Sequence, residues 1–235
     1  MIHHTLMAFD ADLRELAREV LEMGRKTENQ LTRALDALLS GNVALAQEVR
    51  KADDTIDNLR REIESKAIET IARRQPLAID LREIIGALRI AADLERIGDL
   101  GANMAKRAEQ IGQEKFDREL SFSLQHLTQR VLEQLRSVMH SYQTRDVDEA
   151  LQVWRNDEDI DALHNSVFRQ LLTYMMEDPR NITLGMHLLF CAKNIERIGD
   201  HATNISESVH YILQGGAIPG QRPKLNVTNF QQPRH

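Results

Sequence analysis

Residues 93–99 read DLERIGD and residues 194–200 read NIERIGD, so the five letters ERIGD occur twice at a spacing of 101. Asn103 has its counterpart in Asn204 at the same spacing. Upstream, Asp53, Ile56, Asp57 and Leu59 return as Asp157, Ile160, Asp161 and Leu163 at a spacing of 104. Val43, Ala46 and Val49 return as Val147, Ala150 and Val153 at that spacing too. The change from 104 to 101 is a net difference of three residues between the two motifs, which a loop absorbs most easily. Recurrence at fixed spacing marks one supersecondary unit written twice. The chain therefore divides into two halves joined near Gly112–Phe116.

Within each half the apolar residues keep a helical period. Leu13, Leu16, Val20, Met23, Thr27, Leu31, Ala34 and Leu38 step by three and four, the seam of a helix–helix contact. Ser40-Gly41-Asn42 stops that run with turn chemistry. A second run passes through Ala46, Val49, Ile56, Leu59, Ile63 and Ala67 and is broken by Pro76, which cannot sit inside a helix. A third, Leu81, Ile84, Leu88 and Ala91, leads into ERIGD. The second half repeats the plan over 116–143, 146–176 and, after Asp178-Pro179, 180–213. Helices of about 30 residues are near 45 Å long, and three joined by short turns pack as an antiparallel up-down-up bundle. The expected fold is all-α: six long helices in a tandem duplication of a three-helix antiparallel bundle. The first bundle occupies 1–112 and the second 113–214. Residues 215–235, with two adjacent glycines and no periodicity, read as a flexible C-terminal tail.

Composition agrees and narrows the function. Only 4% of the 235 residues are aromatic, too few for a β-sandwich or barrel, whereas Ala, Leu, Glu, Arg and Gln abound. The 36 acidic residues outnumber the 30 Lys and Arg, leaving −6, so a nonspecific nucleic-acid footprint is excluded. No apolar run reaches the length of a membrane span, and the N-terminus lacks the charge-then-apolar layout of a signal peptide. The expectation is a cytoplasmic chain without membrane insertion. Cys191, alone and in an apolar run, reads as a buried core thiol. Trp154, Phe168, Phe190, Tyr211 and the Met175-Met176 pair read as packing residues. No Gly-rich phosphate loop and no nucleophile elbow is present, so no catalytic or cofactor-binding residue is assigned.

The acids are the anomaly. Asp53 falls on the apolar stripe of the second helix and Glu95 on that of the third, with Asp57 and Asp99 one turn on. Asp157 with Asp161 and Glu196 with Asp200 repeat the arrangement. Like charges at i and i+4 weaken a helix, and a carboxylate facing a core is costly unless paired. One such pair means nothing in a chain with this many acids, but four in repeat register do. A cation held by carboxylates of neighbouring helices, with the amide oxygens of Asn103 and Asn204, would offset both costs. Gly98 and Gly199 inside the motifs would allow close helix approach. The candidate metal ligands are thus Asp53, Asp57, Glu95, Asp99, Asn103, Asp157, Asp161, Glu196, Asp200 and Asn204. The competing reading is that the acids pair with arginines such as Arg96 and Arg197.

Hard oxygen ligands favour Mg, Ca or Mn and leave room for carboxylate-bridged iron, while the lack of repeated Cys or His disfavours a closed zinc site; the ions expected are divalent Mn, Mg or Fe, with Ca and Zn as alternatives. A ferritin-like di-metal carboxylate enzyme would want Glu-x-x-His motifs. Glu207 with His210 fits that spacing and Asp161 with His164 fits it loosely, but neither is duplicated, and both histidines read as surface or boundary residues. His201, beside Asp200, would be at most an asymmetric extra ligand.

These motifs together resemble the PhoU family of phosphate-signalling proteins. The resemblance rests on the twin ERIGD segments, on Asp53–Asp57 and Asp157–Asp161 as D-x-x-I-[DN], and on residues 72–82, ARRQPLAIDLR, which are similar to the family's R-x-Q-P-x-A-x-D-L-R stretch. It spans about residues 8–213. It implies two three-helix bundles with internal two-fold symmetry and metal sites or multinuclear clusters at Glu95/Asp99 and Glu196/Asp200, with the acids of the second helices opposite. It also implies a regulator, not an enzyme, that negatively regulates phosphate uptake and the phosphate-starvation response. The implied partners are a PhoR-like sensor histidine kinase and a PstB-like transporter ATPase, and a homodimer is expected. Glu177-Asp178-Pro179-Arg180-Asn181 replaces the R-R-Q-P segment in the second half, so the two loops need not share partners.

Overall fold

Helix boundaries fall where turn-forming residues occur in the sequence. The structure is a computed structural model that describes residues 2–114, 117–220 and 222. Among these residues the chain forms α1 (Ile2–Ser40), α2 (Val43–Arg74), α3 (Ala78–Ile111), α4 (Arg118–Thr144), α5 (Val147–Arg155), α6 (Asp157–Glu177) and α7 (Ile182–Gln214), with a 3-10 turn at Pro179–Asn181. Lys115 and Phe116, in the expected joint, and residues 221 and 223–235 of the expected tail lie outside the described residues.

The repeat extends to the turns. Asn42 Oδ1 accepts from the Leu45 amide at 3.0 Å and starts α2, while Asp146 Oδ1 accepts from the Asp148 and Glu149 amides and starts α5. The residue before each cap has a left-handed backbone, Gly41 at φ 64° and Arg145 at φ 60°. Gln75 at φ 50° closes α2, and Pro76 prevents its continuation.

One expectation is corrected. The apolar period predicts one helix over 146–176, but the chain breaks at Asn156 into α5 and α6. The equivalent residue in α2 is Ala52, the better helix former. Asn156 instead sits at φ −84°, ψ 6°, its N–H donating to Gln152 and its carbonyl accepting from the Asp159 amide. Asp157, Glu158 and Asp159 then fill the first turn of α6, where the helix dipole favours negative charge. Together α5 and α6 do the work of α2, so the six-helix plan stands.

Helices α1, α2 and α3 pack on one another, and α4, α5, α6 and α7 do likewise; α3 against α7 and α1 against α4 join the bundles. A Cβ on Gly86 would strike Ile212, Asp93 faces His201 and Asn204, and Arg107 lies over Phe190. Partner numbers fall as α3 numbers rise, so α3 and α7 run antiparallel and cross with the ERIGD segments at mid-contact. Ile90, Leu94 and Ile97 of α3 and Leu188, Ile195 and Ile198 of α7 are fully buried. Cys191 is a core residue as expected, and burial pushes its thiol up to about 12.

The aromatic residues are less uniform than expected. Trp154 is buried, but Phe168 and Phe190 are exposed, and Tyr211 lies beneath the Arg89 guanidinium. Met175 packs against Gly185, whereas Met176 is 84% exposed. No described helix is long and apolar enough to cross a membrane.

Candidate functional site: two repeat-related carboxylate clusters

In the first half, Gly98 lets α2 approach α3 closely. A Cβ on Gly98 would come within 3.2 Å of Asp53 Oδ1, Gln30 Oε1 and Ile56 Cδ1. Gln30, buried on α1, donates from Nε2 to Asp53 Oδ1 at 2.9 Å. Its own Oε1 is buried without a hydrogen-bond partner among the described residues. Burial raises the Asp53 pKa above the usual carboxylate value; the Gln30 bond opposes this, and the nearby Asp99 and Asp57 charges add to it. Asp53, Asp57 and Asp99 therefore share one electrostatic neighbourhood. Glu95 turns elsewhere, to Arg60 at 4.0 Å and Arg96 at 3.5 Å. Arg96 also reaches Asp99 at 3.2 Å, and Asn103 is exposed.

The second half has the same framework with different contents. Gly199 lies against Ile160 and Gln134 Oε1. Gln134, the equivalent of Gln30, donates to Thr203 Oγ1 at 3.0 Å, and that hydroxyl donates to Asp157 Oδ1 at 2.8 Å. The residue equivalent to Thr203 is Ala102, which is why Gln30 bonds its aspartate directly. Asp157 is only 3% exposed. Arg222 reaches it with Nε to Oδ2 at 2.8 Å and Nη2 to Oδ1 at 3.0 Å, a bidentate fork. The same guanidinium donates to Asp200 Oδ1 at 2.7 Å, to the Asp200 carbonyl at 3.3 Å and to Asn204 Oδ1 at 3.2 Å. Burial works against the Arg222 charge, but Asp157, Asp200 and Glu207 outweigh it and the pKa is raised.

Glu196 again turns aside, to Lys193 Nζ at 2.7 Å. It also faces His164, the equivalent of Arg60, whose pKa falls through burial against the pull of Glu196. Asp161 follows Asp157 by one turn on α6 and is half-buried.

The structure thus brings Asp53, Asp57 and Asp99 together in one half and Asp157, Asp200 and Asn204 in the other, and directs Glu95 and Glu196 toward basic residues. Among the described residues, no three His, Cys, Asp or Glu side chains gather closely enough to chelate a metal as they stand. The donors nevertheless suit a hard cation: oxygens dominate, Gln30 Oε1 is an orphaned buried acceptor, and a guanidinium is held where a cation would sit. Glu207 accepts from Trp154 Nε1 at 3.1 Å and His210 Nδ1 lies 3.1 Å from the Gly216 carbonyl, so this Glu-x-x-His pair is engaged away from any di-metal site. His201 binds Asp93 at 2.8 Å across the α3–α7 contact. Sequence reasoning missed Gln30, Gln134, Thr203 and Arg222. The two glutamines were detectable, since they recur at the 104 spacing.

Fold and site together define a duplicated helical-bundle protein that lodges acidic side chains beside a glycine-bearing helix in each repeat. The PhoU domain model matches this chain twice, over residues 20–108 and 124–209. The chain belongs to the PhoU family. It is 50% identical, over 96% of its length and 95% of the relative's, to the phosphate-specific transport system accessory protein PhoU homolog of Rhizobium meliloti (strain 1021). The crystal structure of PhoU from Pseudomonas aeruginosa matches with a TM-score of 0.84 at 37% identity, covering 88% of this chain and 100% of that one. The phosphate transport system regulatory protein PhoU from Streptococcus pneumoniae matches with a TM-score of 0.82 at 26% identity, covering 89% and 99%.

Proposed function

We propose that this chain is a metal-binding regulatory adaptor that restrains phosphate uptake and the phosphate-starvation response by binding a PstB-like transporter ATPase and a PhoR-like sensor kinase. The observation that carries the accessory, regulatory role is the family match to both halves together with relatives named as accessory and regulatory proteins of phosphate transport. That role is not enzymatic. The ferritin-like alternative has no support, because Glu207 and His210 are committed to Trp154 and Gly216.

Metal binding is supported by two buried groups, Gln30 Oε1 and Asp157, and by the part-buried carboxylates beside them. Asp53, Asp57 and Asp99 with Gln30 Oε1 would hold a hard divalent cation in the first half, and Asp157, Asp161, Asp200 and Asn204 in the second. Such a cation would supply charge neutralisation between helices, not chemistry. Adaptor function is supported by exposed apolar residues at repeat-equivalent positions: Ile68 with Leu172, and Leu81 with Ile182.

The test is metal analysis and native mass on untagged protein, with Asp53→Asn and Asp99→Asn alongside, followed by pull-down of the transporter ATPase and the kinase at high and low phosphate. Bound Mn or Fe that falls in the variants, a dimeric mass and phosphate-dependent capture are expected. Metal content unchanged in the variants would remove the ligand assignment, and no capture at either phosphate level would remove the partner assignment.

A further inference from the structure

Helix α7 ends at Gly215, whose φ of 79° is the left-handed cap glycine favours and whose N–H donates to the Tyr211 carbonyl at 2.9 Å. The chain then doubles back. His210 Nδ1 contacts the Gly216 carbonyl, and Gly216 and Ala217 line a groove with Asn204, Glu207 and Tyr211 of α7. Asp200 lies fourteen residues before the last residue of α7, about 21 Å along a helix. The seven steps from Gly215 to Arg222 span about 24 Å when extended. A return along α7, bent at Gly215–Gly216 and at Pro219–Gly220, is long enough to bring Arg222 to Asp200, as observed at 2.7 Å.

The two carboxylate sites differ at this point. Asp53 is met by the neutral amide of Gln30, whereas its equivalent Asp157 is met by a guanidinium. A carboxylate as buried as Asp157 needs a counter-charge, and Arg222 engages both Asp157 carboxylate oxygens, Asp200 Oδ1 and Asn204 Oδ1, oxygens that a small cation would want.

We propose that residues 215–220 and Arg222 form an internal strap whose Arg222 is the resident cation of the second carboxylate site. A hard divalent cation and the strap then exclude one another there, while in the first site Arg96 meets only Asp99 and no guanidinium sits on Asp53. The seating of the strap stands on the contacts above; the exclusion rests on the metal-binding reading. Filling the second site would release the strap from the α3–α7 groove, which turns cation occupancy into a change on the outer surface.

The test follows loss of the segment beyond α7 from the full, untagged chain by limited proteinase K digestion and intact mass. In EDTA, Arg222→Ala and Asp157→Asn should be cut on the order of tenfold faster than wild type, as expected when a charge-assisted fork no longer holds a local opening closed. Arg222→Lys should fall between, since lysine keeps the charge and loses the fork. Asp53→Asn should match wild type. Mn²⁺ should accelerate cutting of wild type and leave Asp157→Asn unaffected, and Arg222→Ala should bind more Mn²⁺ than wild type.

Equal cutting of Arg222→Ala and wild type in EDTA overturns the seating. Faster cutting of Arg222→Ala, with a wild-type rate indifferent to Mn²⁺ although Mn²⁺ binds in an Asp53-dependent way, overturns the exclusion alone. Absence of Mn²⁺ binding to every variant overturns the metal reading and the exclusion with it, and the EDTA comparison then decides the seating by itself.

Discussion

Asp53 Oδ1 and Gly98 meet closely: a Cβ on Gly98 would lie 3.2 Å from that oxygen and would need its neighbours to give by a few tenths of an ångström. Gly98→Ala gains about 1 kcal/mol of helix propensity but crowds Asp53, Gln30 and Ile56 together, and overpacking of this kind costs about 1–3 kcal/mol. We expect a net loss of about 1 kcal/mol in urea unfolding. Gly199→Ala should behave alike, since it meets Ile160 at 3.2 Å. Gly101→Ala is the control: its nearest contact is at 3.9 Å, so the propensity gain should stand and the variant should be as stable as wild type or more so.

The raised pKa of Asp53 predicts a pH dependence of definite sign. An acid whose folded pKa lies above its ordinary 3.8 binds more protons folded than unfolded between those two values. Stability therefore falls as pH rises through that window, and the full cost remains at pH 7. Asp53→Asn removes that cost. In metal-free buffer its melting temperature should exceed wild type at pH 7, by about 2–4 °C for each kcal/mol relieved, and the difference should vanish near pH 4. Mn²⁺ should invert the order at pH 7, because ligand stabilises only the form that binds it. Equal melting temperatures at both pH values would show that Asp53 bears no such cost.

Much of this architecture can be read from letters alone, because a repeat and a helical period survive in sequence. Asn42 and Asp146, the ERIGD pairs and the apolar stripes each hold the same place in both halves. The break at Asn156 could not be read that way: one Ala-to-Asn difference between repeats shifts helix propensity by less than about 1 kcal/mol, and tertiary packing decides. The acids on the stripes were visible, but their partners were not. Glu95 and Asp53 lie on adjacent helices' stripes alike, yet one meets arginines and the other an amide. Arg222 reaches Asp157 from 65 residues away, out of a segment with no periodicity, and no spacing rule connects them.

Thr203 tests how far the two repeats have diverged. Its hydroxyl links Gln134 to Asp157 in the buried second site, a link that Ala102 leaves out of the first. Thr203→Val keeps the shape but removes the hydroxyl that accepts from Gln134 and donates to Asp157, leaving Gln134 its long bond to the Val153 carbonyl and Asp157 Oδ1 its bond from Arg222; losing two hydrogen bonds in a buried site, one of them to a charged group, costs about 1–3 kcal/mol. The reciprocal change, Ala102→Thr, adds a hydroxyl to a half-buried position already served by the direct Gln30–Asp53 bond, so a far smaller effect is expected. Chemical denaturation of the two variants measures the difference. Equal losses would mean that the hydroxyl at 203 is not a structural link.

The exposed apolar residues make the last prediction. Single exposed apolar side chains are ordinary on a soluble surface. Here Ile68 and Leu172 are one repeat-related pair, and Leu81 and Ile182 are another, all four exposed and all on the second and third helices of their bundles or, for Leu172, on the α6 segment that stands for the second. Core packing does not account for side chains that face outward in both copies; a partner surface does. Leu172→Glu and Ile182→Glu should change stability by no more than about 0.5 kcal/mol, as substitutions at exposed sites do. Each should also weaken capture of the transporter ATPase or the kinase by on the order of tenfold or more, the effect of losing an interface residue worth about 1.4 kcal/mol or more. Ile68→Glu and Leu81→Glu report the first bundle in the same assay. If loss falls on one bundle's pair for one partner and on the other pair for the second, the two halves divide the partners between them, as the different α2–α3 and α6–α7 turns, Gln75–Leu77 against Asp178–Asn181, would lead one to expect. Capture that survives all four substitutions would move the interface off this face altogether.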